Sequence, residues 1–125
     1  GARAAGAEVT LHNANEGRFD IERYRAFDAA AFGTPDYYSY MAGTMKVFLD
    51  DWYIAKQSNA IGLTGKPFAL FYSHGGGGAV KRPLETLVAR MGTKVGATLE
   101  SQGRPTPAAL EACRGLGREL ALAAR

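Results

Sequence analysis

Residues 66 to 78 read Lys-Pro-Phe-Ala-Leu-Phe-Tyr-Ser-His-Gly-Gly-Gly-Gly, an apolar run followed by a polar pair and four glycines. An uninterrupted apolar run of this length, bounded by turn residues, is typical of a parallel β-strand that is buried on both faces. The run Ala29 to Gly33, which ends at Thr34-Pro35, has the same character. We therefore predict parallel strands over residues 66–72 and 29–33.

Apolar residues at helical spacing predict three helices around these strands. Thr106-Pro107 has the sequence of an N-cap and a first helical residue, and so marks the start of the last helix. Strands that alternate with helices indicate an α/β domain with a doubly wound parallel sheet. The three apolar helix faces are Met45, Phe48, Leu49 and Trp52; Leu84, Leu87, Val88 and Met91; and Cys113, Leu116, Gly117 and Leu120.

Shorter segments complete the predicted domain. Residues 8–12 alternate polar and apolar side chains, which predicts a strand at a sheet edge. Residues 95–99 are a further strand candidate, and residues 1–6 have the composition of a last helical turn that ends at Gly6. The polar residues 13–28 carry apolar side chains that can attach a short helix to the sheet: Phe19, Ile21, Tyr24 and Phe27.

Composition limits the class of protein. The 125 residues are 46% apolar and 22% charged, which predicts a single globular domain over residues 1–125. No apolar stretch approaches the ~20 residues of a membrane span, and no signal peptide is recognisable, so we expect a cytoplasmic protein. A net charge of +3 without runs of like charge does not indicate nucleic acid binding.

Few residues suit a metal or redox centre. The single cysteine, Cys113, excludes an intramolecular disulfide and a multi-cysteine metal site, and its helical face predicts a core position. The two histidines, His12 and His74, are far apart in the sequence and have no neighbouring ligand pair, so we expect no metal site.

Two loops follow the best-defined strands, at the edge where parallel sheets bind ligands. The first, Gly33 to Gly43, contains three of the six tyrosines, and the second runs from Ser73 to Gly78. Aromatic rings beside a loop of nearly bare backbone amides suit a flat, electron-poor ring that is stacked on one face and hydrogen-bonded along its edge. This combination predicts a flavin site.

The same residues resemble a known family. Gly33-Thr34-Pro35, the aromatic loop, and Met45-Lys-Val-Phe-Leu-Asp50 resemble the third strand, flavin loop and third helix of flavodoxin-like proteins. The resemblance is closest to NAD(P)H:quinone oxidoreductases of the tryptophan-repressor-binding-protein type. Gly65-Lys66-Pro67 and the segment through Gly78 resemble their fourth strand and second flavin loop, and the similarity continues into the helix around Cys113.

The resemblance implies a flavodoxin-like sheet of order 2-1-3-4-5 that lacks strand 1 and the Ser/Thr-rich phosphate loop, so the domain is expected to be N-terminally incomplete. It implies FMN as cofactor, NAD(P)H and a quinone-like acceptor as partners, and a homodimer or homotetramer. It also implies that His74 lies near the flavin ring as a proton donor. The implied cofactor contacts are Thr34, Pro35, Asp36, Tyr37, Tyr38, Ser39, Ser73, His74, Gly75, Gly76, Gly77 and Gly78.

Plainer interpretations stay open from sequence alone. The tyrosines can belong to an ordinary surface loop, the glycines to a flexible linker, and His74 can face solvent. Lys81 and Arg82 can attract an NADPH phosphate or simply be solvated. The functional alternatives to an FMN-dependent oxidoreductase are a flavodoxin-type electron carrier, against which the basic net charge counts, and a non-catalytic binding or assembly module that has lost FMN.

Overall fold

A computed structural model describes all 125 residues. Its elements are α1 (Ile21–Tyr24), β1 (Ala30–Tyr37), β2 (Tyr40–Met41), α2 (Gly43–Ser58), β3 (Lys66–His74), α3 (Lys81–Val88), β4 (Gly92–Lys94), β5 (Leu99–Gln102) and α4 (Pro107–Ala123). The alternation of strands and helices that the sequence predicts is confirmed.

The sheet is built around β3. Strand β1 runs parallel to β3 on one side, and β4 and β5 run parallel to successive halves of β3 on the other side. The short strand β2 forms an antiparallel hairpin with the end of β1. Both predicted central strands are confirmed, and both are longer than predicted. Pro35 fits within β1 because the other side of the strand is unpaired there, and such edges tolerate proline.

The main core lies on the face of the sheet that α1, α2 and α3 cover. Phe68 and Leu70 of the central strand and Leu84 of α3 are almost completely buried there. The predicted face of α2 is confirmed, since Leu49 and Trp52 are buried. The indole Nε1 of Trp52 also donates a hydrogen bond to the Leu63 carbonyl at 2.7 Å. This bond anchors the loop that leads into β3.

Helix α4 covers part of the opposite face with Leu116 and Leu120, which pack against Ala69. The predicted helix start is confirmed, because the Thr106 side chain accepts a hydrogen bond from the Ala109 amide at 3.1 Å. The first residues of the chain lie against this helix. The guanidinium of Arg125 donates to the Ala5 carbonyl.

The predicted helical turn at residues 1–6 is also confirmed. The Ala7 amide bonds to the Ala2 carbonyl and the Gly6 amide to the Arg3 carbonyl, which is the hydrogen-bond pattern that closes a helix. Gly6 has a φ of +93°, in the left-handed region that favours glycine.

The prediction of a strand over residues 8–12 was wrong. The segment is exposed, with Leu11 at 87% of its full exposure, and it pairs with no strand. Alternating residues form a strand only where a neighbouring strand supplies hydrogen-bond partners, and none lies beside this segment.

The predicted strand over 95–99 was wrong in its position. Strand β4 ends at Lys94 and β5 begins at Leu99. The Val95 amide still bonds to the Phe68 carbonyl, but the chain then leaves β3, and the Thr98 hydroxyl donates to Glu85 of α3 at 2.7 Å. One sheet position is therefore filled by two short strands with a break between them.

The core position predicted for Cys113 was also wrong, because its side chain is exposed. It lies in an open apolar groove between α4 and the sheet, beside Ala31 and Phe71. Phe71 stays 43% exposed although it lies in the central strand. No helix covers the part of this sheet face next to β1. The apolar face of α4 therefore lies only partly against the sheet, and Cys113 stays exposed.

None of the helices is both long enough and apolar enough to cross a bilayer. The side chains also form no group of three or more histidines, cysteines and carboxylates with metal-binding geometry.

We predict that Thr106→Ala lowers the free energy of unfolding by about 1 kcal/mol, because it removes the side-chain oxygen that caps α4. Urea denaturation followed by circular dichroism measures this change. Thr106→Ser retains the oxygen and is the matched control. Equal stability of all three proteins would show that the cap does not contribute.

Candidate functional site

The two predicted loops lie side by side at the carboxyl edge of the sheet. Strands β1 and β3 are parallel and paired, with Pro35 opposite Ser73, so the residues that follow each strand emerge together. Residues 38–39 form the tip of the β1–β2 hairpin, and residues 75–80 connect β3 to α3. The predicted juxtaposition of tyrosines and glycines is therefore present.

The tip of the hairpin has an unusual backbone. Tyr37 pairs with Tyr40, which leaves Tyr38 and Ser39 as a two-residue turn with φ values of +53° and +65°. Turns of this type normally contain asparagine and glycine, because other residues are strained at positive φ. The strained turn holds the Tyr38 side chain fully exposed, and Tyr37 is 58% exposed. Strain of this kind is often found at binding sites.

Asp36 connects the two loops. One carboxylate oxygen accepts from the Ser39 amide at 2.9 Å, and the other accepts from the Val80 amide at 3.1 Å, at the start of α3. A carboxylate is favourable at both positions, since it closes the turn and lies at a helix N-terminus. Asp36 thus positions the two loops relative to each other, and its predicted contact with a cofactor stays a prediction.

Thr34 also acts within the protein. Its side chain is buried, its hydroxyl oxygen accepts from the Ala42 amide at 3.0 Å, and the hydroxyl donates to the Pro35 carbonyl at 2.9 Å. Its hydrogen bonds therefore fix the path of the hairpin into α2. We describe Thr34 and Asp36 as residues that shape the first loop.

The glycine loop, residues 75–79, presents unused donors. None of its five consecutive backbone N–H groups donates a hydrogen bond within the chain, and the next amide, that of Val80, is the one that Asp36 accepts. Gly75, Gly76 and Gly77 are exposed, whereas Gly78 is buried. Successive free amides beside a helix start form a concave surface that binds anions and carbonyl oxygens.

Gly78 lies directly above two side chains of β3. A Cβ at Gly78 would come within 3.3 Å of both Tyr72 and His74, and its φ of +62° lies in the left-handed region. A side chain at this position would therefore crowd the residues below it as well as strain the backbone. The glycine lets the loop lie flat against the sheet.

His74 faces the inside of the protein and not solvent. Its side chain is only 7% exposed, and its ring stacks on Tyr72 with 5.8 Å between the centroids. Its Nε2 lies 3.2 Å from Oε2 of Glu100, and the Tyr72 hydroxyl donates to the same oxygen at 2.9 Å. The Nδ1 atom is buried and has no partner. A proton-donor role for His74 stays a prediction.

Burial and contacts within this cluster shift the pKa values of Tyr72 and Glu100. Burial raises the pKa of Tyr72 to about 12, with a further contribution from its hydrogen bond to Glu100. The same hydrogen bond, followed by that from His74, lowers the pKa of Glu100. The network therefore contains an ionised carboxylate and a neutral phenol at neutral pH.

Glu100 and Tyr72 were missed as site residues by the sequence analysis. Tyr72 and His74 are two residues apart and so share one face of β3, which is a signal that the sequence contains. Glu100 has no such signal, because only the pairing of β5 with β3 places it opposite Tyr72.

Ser73 points to the other face of the sheet, because successive side chains of a strand alternate. It lines an open cleft of about 450 Å³ between the sheet and the start of α4, together with Pro35, Ser101 and Leu110. The predicted contacts are thus divided between two faces: the tyrosines and the glycine loop form one group, and Ser73 with Pro35 lies beside the cleft.

The free amides and exposed tyrosines fit the ring system of a flavin, which has oxygen and nitrogen acceptors along one edge and a flat aromatic surface. The Ser/Thr-rich phosphate loop that the resemblance implies is not among the 125 residues.

Comparisons with known proteins support the fold. No protein-family model matches the chain, and no curated protein sequence does. Among solved structures, a flavodoxin from the domain Archaea superposes with a TM-score of 0.83 at 22% identity, over 98% of this chain and 82% of that protein. A flavodoxin described as a WrbA-like protein, from Agrobacterium tumefaciens, has a TM-score of 0.66 at 24% identity, over 84% and 71% of the two chains.

An oxidoreductase from Corynebacterium diphtheriae superposes with a TM-score of 0.52 at 19% identity, over 93% of this chain and 60% of that protein. At these identities the likeness establishes the fold. The chain has the flavodoxin-like α/β fold, as the sequence predicts.

We predict that Asp36→Ala lowers the free energy of unfolding by roughly 1–3 kcal/mol, because the amides of Ser39 and Val80 both lose their acceptor. Urea denaturation measures the change. Asp50→Ala, which removes an exposed ion pair with Lys46, is the control and should have little effect. An equal effect of the two substitutions would contradict the role of Asp36.

A second prediction concerns stability in acid. The pKa of Glu100 is lowered from its ordinary value of 4.5 in the folded protein, so its contribution is present above that value and is lost as the pH falls through the lower folded value. The stability difference between the unmodified chain and Glu100→Gln should therefore shrink between about pH 6 and about pH 3.

Denaturation curves at several pH values test this dependence. Glu16→Gln is the control, because it removes an exposed carboxylate that lies outside the cluster. A difference for Glu100→Gln that does not vary with pH would contradict the prediction.

Proposed function

We propose that the chain binds FMN at the two loops and serves as a flavin-dependent oxidoreductase that passes electrons from NAD(P)H to a quinone-like acceptor. One observation carries the proposal. Five consecutive amides of the glycine loop have no acceptor within the chain, and they lie beside a strained turn that holds tyrosine side chains in solvent.

The glycine loop would hold the acceptor-rich edge of the flavin. Backbone amides provide donors without side chains that would block a flat ligand, and glycine at residues 75–78 allows close approach. When bound, the flavin supplies the hydride and electron chemistry, while the protein supplies orientation and electrostatics. Fixed N–H dipoles favour negative charge on the reduced ring.

Tyr37 and Tyr38 would supply the stacking surface. Both are exposed in the hairpin, where Asp36 and Thr34 fix the backbone through hydrogen bonds to amides. A tyrosine side chain has only two rotatable side-chain torsions, so it loses little conformational entropy when a flat ligand stacks on it. Ser39 lies beside Tyr38 at the tip of the hairpin, and Ser73 and Pro35 line the cleft beside α4.

The names of the structural neighbours are compatible with this proposal. Two of them are flavodoxins and one is an oxidoreductase. The archaeal flavodoxin, with its TM-score of 0.83, favours a second candidate, an electron carrier with the same flavin site.

We further expect the protein to be cytoplasmic and to form a homodimer or homotetramer. Analytical ultracentrifugation measures its oligomeric state.

Titration of FMN with the purified chain, followed by quenching of flavin fluorescence, tests the proposal. We expect saturable binding that Tyr38→Ala weakens by about fivefold or more, because an aromatic stacking contact contributes about 1 kcal/mol. Tyr53→Ala is the control, since Tyr53 is also an exposed tyrosine but lies on α2, away from the two loops. Absence of FMN binding would refute the proposal.

Turnover separates the two candidates. An enzyme in complex with FMN oxidises NAD(P)H rapidly when a quinone is present. A carrier accepts electrons from a reductase but does not react with NAD(P)H at a comparable rate.

A further inference from the structure

The cleft beside the start of α4 opens at the same edge of the sheet as the two loops of the proposed flavin site. Pro35 and Ser73 line the cleft and are opposite each other near the ends of β1 and β3. Tyr37 follows Pro35 by two residues, and Gly75 follows Ser73 by two residues. A chain attached to a ring between the loops can therefore pass over the strand ends into the cleft.

The lining of the cleft combines apolar side chains with hydroxyl groups. Phe71 and Leu110 are 43% and 46% exposed, and they line the cleft together with Ser73 and Ser101. The Ser101 hydroxyl donates to the Gly103 carbonyl, so its oxygen is left as an acceptor. The volume of about 450 Å³ is within the range of small-molecule sites. The cleft therefore suits a chain that carries hydroxyl groups.

The one charge in the cleft lining is negative. Among the thirteen residues that line the cleft, only Glu100 is charged. Hydrogen bonds from Tyr72 and His74 lower the pKa of Glu100, so its carboxylate is ionised at neutral pH. Lys81 acts on Glu100 from α3, but it is not part of the lining. A phosphate in the cleft would therefore be repelled by Glu100 and would lose water without gaining a positively charged partner there.

The helix starts at this edge also favour a neutral group. Helix N-termini are common phosphate sites, because their free amides and their dipole attract anions. At α3 the Val80 amide already donates to the Asp36 carboxylate, and at α4 the Ala109 amide donates to the Thr106 side chain at 3.1 Å. A phosphate at the start of α3 would thus meet a carboxylate. The free amides of the glycine loop are those proposed to hold the ring edge.

We propose that the cleft receives the sugar-alcohol chain of the flavin and selects an uncharged chain, so that riboflavin is bound more tightly than FMN. The inference rests on the proposed flavin site and names the class of flavin that it takes. Hydroxyl groups of the chain can bond to Ser73 and Ser101, whereas the phosphate of FMN brings about two negative charges toward Glu100. FMN binds through the same ring contacts, but with the penalty of its phosphate.

Fluorescence titration of riboflavin and of FMN with the full chain at neutral pH tests the inference. We expect a dissociation constant about fivefold lower for riboflavin than for FMN at about 20 mM salt, because Glu100 repels the phosphate. At about 0.5 M salt the two constants should approach each other, since screening weakens the repulsion. Lumiflavin, which has the ring without the sugar-alcohol chain, should bind more weakly than riboflavin. Tighter binding of FMN than of riboflavin, or equal binding of lumiflavin and riboflavin, would overturn the inference.

A cation placed in the cleft should reverse the preference. For Leu110→Arg we expect the affinity for FMN relative to riboflavin to rise about tenfold, because the phosphate gains a charge-assisted partner. Leu122→Arg is the matched control, since Leu122 is 48% exposed near the other end of the same helix. The same ratio of affinities in both variants would show that the phosphate end of the ligand does not enter the cleft.

A second substitution removes the negative charge instead. Glu100→Gln keeps an acceptor oxygen for Tyr72, and the difference between riboflavin and FMN should disappear. Glu119→Gln is the control, because Glu119 is an exposed carboxylate near the other end of α4 and does not line the cleft. A preference for riboflavin that persists in Glu100→Gln would overturn the role of this charge. If thermal melting shows that Glu100→Gln does not fold, the comparison of Leu110→Arg with Leu122→Arg decides the result.

These outcomes separate the inference from the proposed function. If no flavin binds to the unmodified chain, both are refuted. If flavins bind but FMN is preferred, the flavin site stands and the inference about the cleft is overturned.

Discussion

The parallel pairing of β1 with β3 is the constraint on which the rest of the structure depends. Six residue pairs, from Ala30 with Phe68 to Pro35 with Ser73, set the register. A shift of one residue would move every side chain of β1 to the other face. In this register the two strands end at nearly the same level. Asp36 near the end of β1 therefore lies close to the loop after β3, and its carboxylate reaches the amide at the start of α3. The two loops therefore have one fixed relative position.

Much of this fold follows from local patterns in the sequence. Continuous apolar runs predict the two central strands, and helical spacing predicts α2 and α4, because burial on one or both faces leaves a regular trace in the sequence. Residues 8–12 and 95–99 show the limit of such patterns. Whether a segment forms a strand depends on a neighbour with free hydrogen-bonding groups. The exposure of Cys113 has a similar cause, since a helix face is buried only where a surface lies opposite.

The position of the candidate site was predictable from the sequence, whereas the role of each residue in it was less predictable. The sequence predicts that the tyrosine loop and the glycine loop lie side by side, because each comes directly after one of two parallel strands. The sequence does not show that the oxygens of Thr34 and Asp36 bind amides of their own loops, or that His74 faces inward. These facts depend on contacts between distant residues. Glu100 is the clearest case, because a carboxylate 26 residues from His74 becomes its partner only through the β3–β5 register.

The two loops contain strained residues that hydrogen bonds hold in place. Strain that the surrounding structure maintains in this way is typical of a ligand-binding site. Positive φ at Tyr38 and Ser39 costs of order 1–3 kcal/mol at each residue, and an unpaired donor at the buried Gly78 costs about as much. Hydrogen bonds to the side chains of Thr34 and Asp36 offset part of this cost without removing its cause. A turn of asparagine and glycine would be less strained, but it would not hold an aromatic ring in solvent. The groups that have no partner within the chain, a row of donors and an exposed ring, are those that a flat ligand with acceptors along its edge would contact.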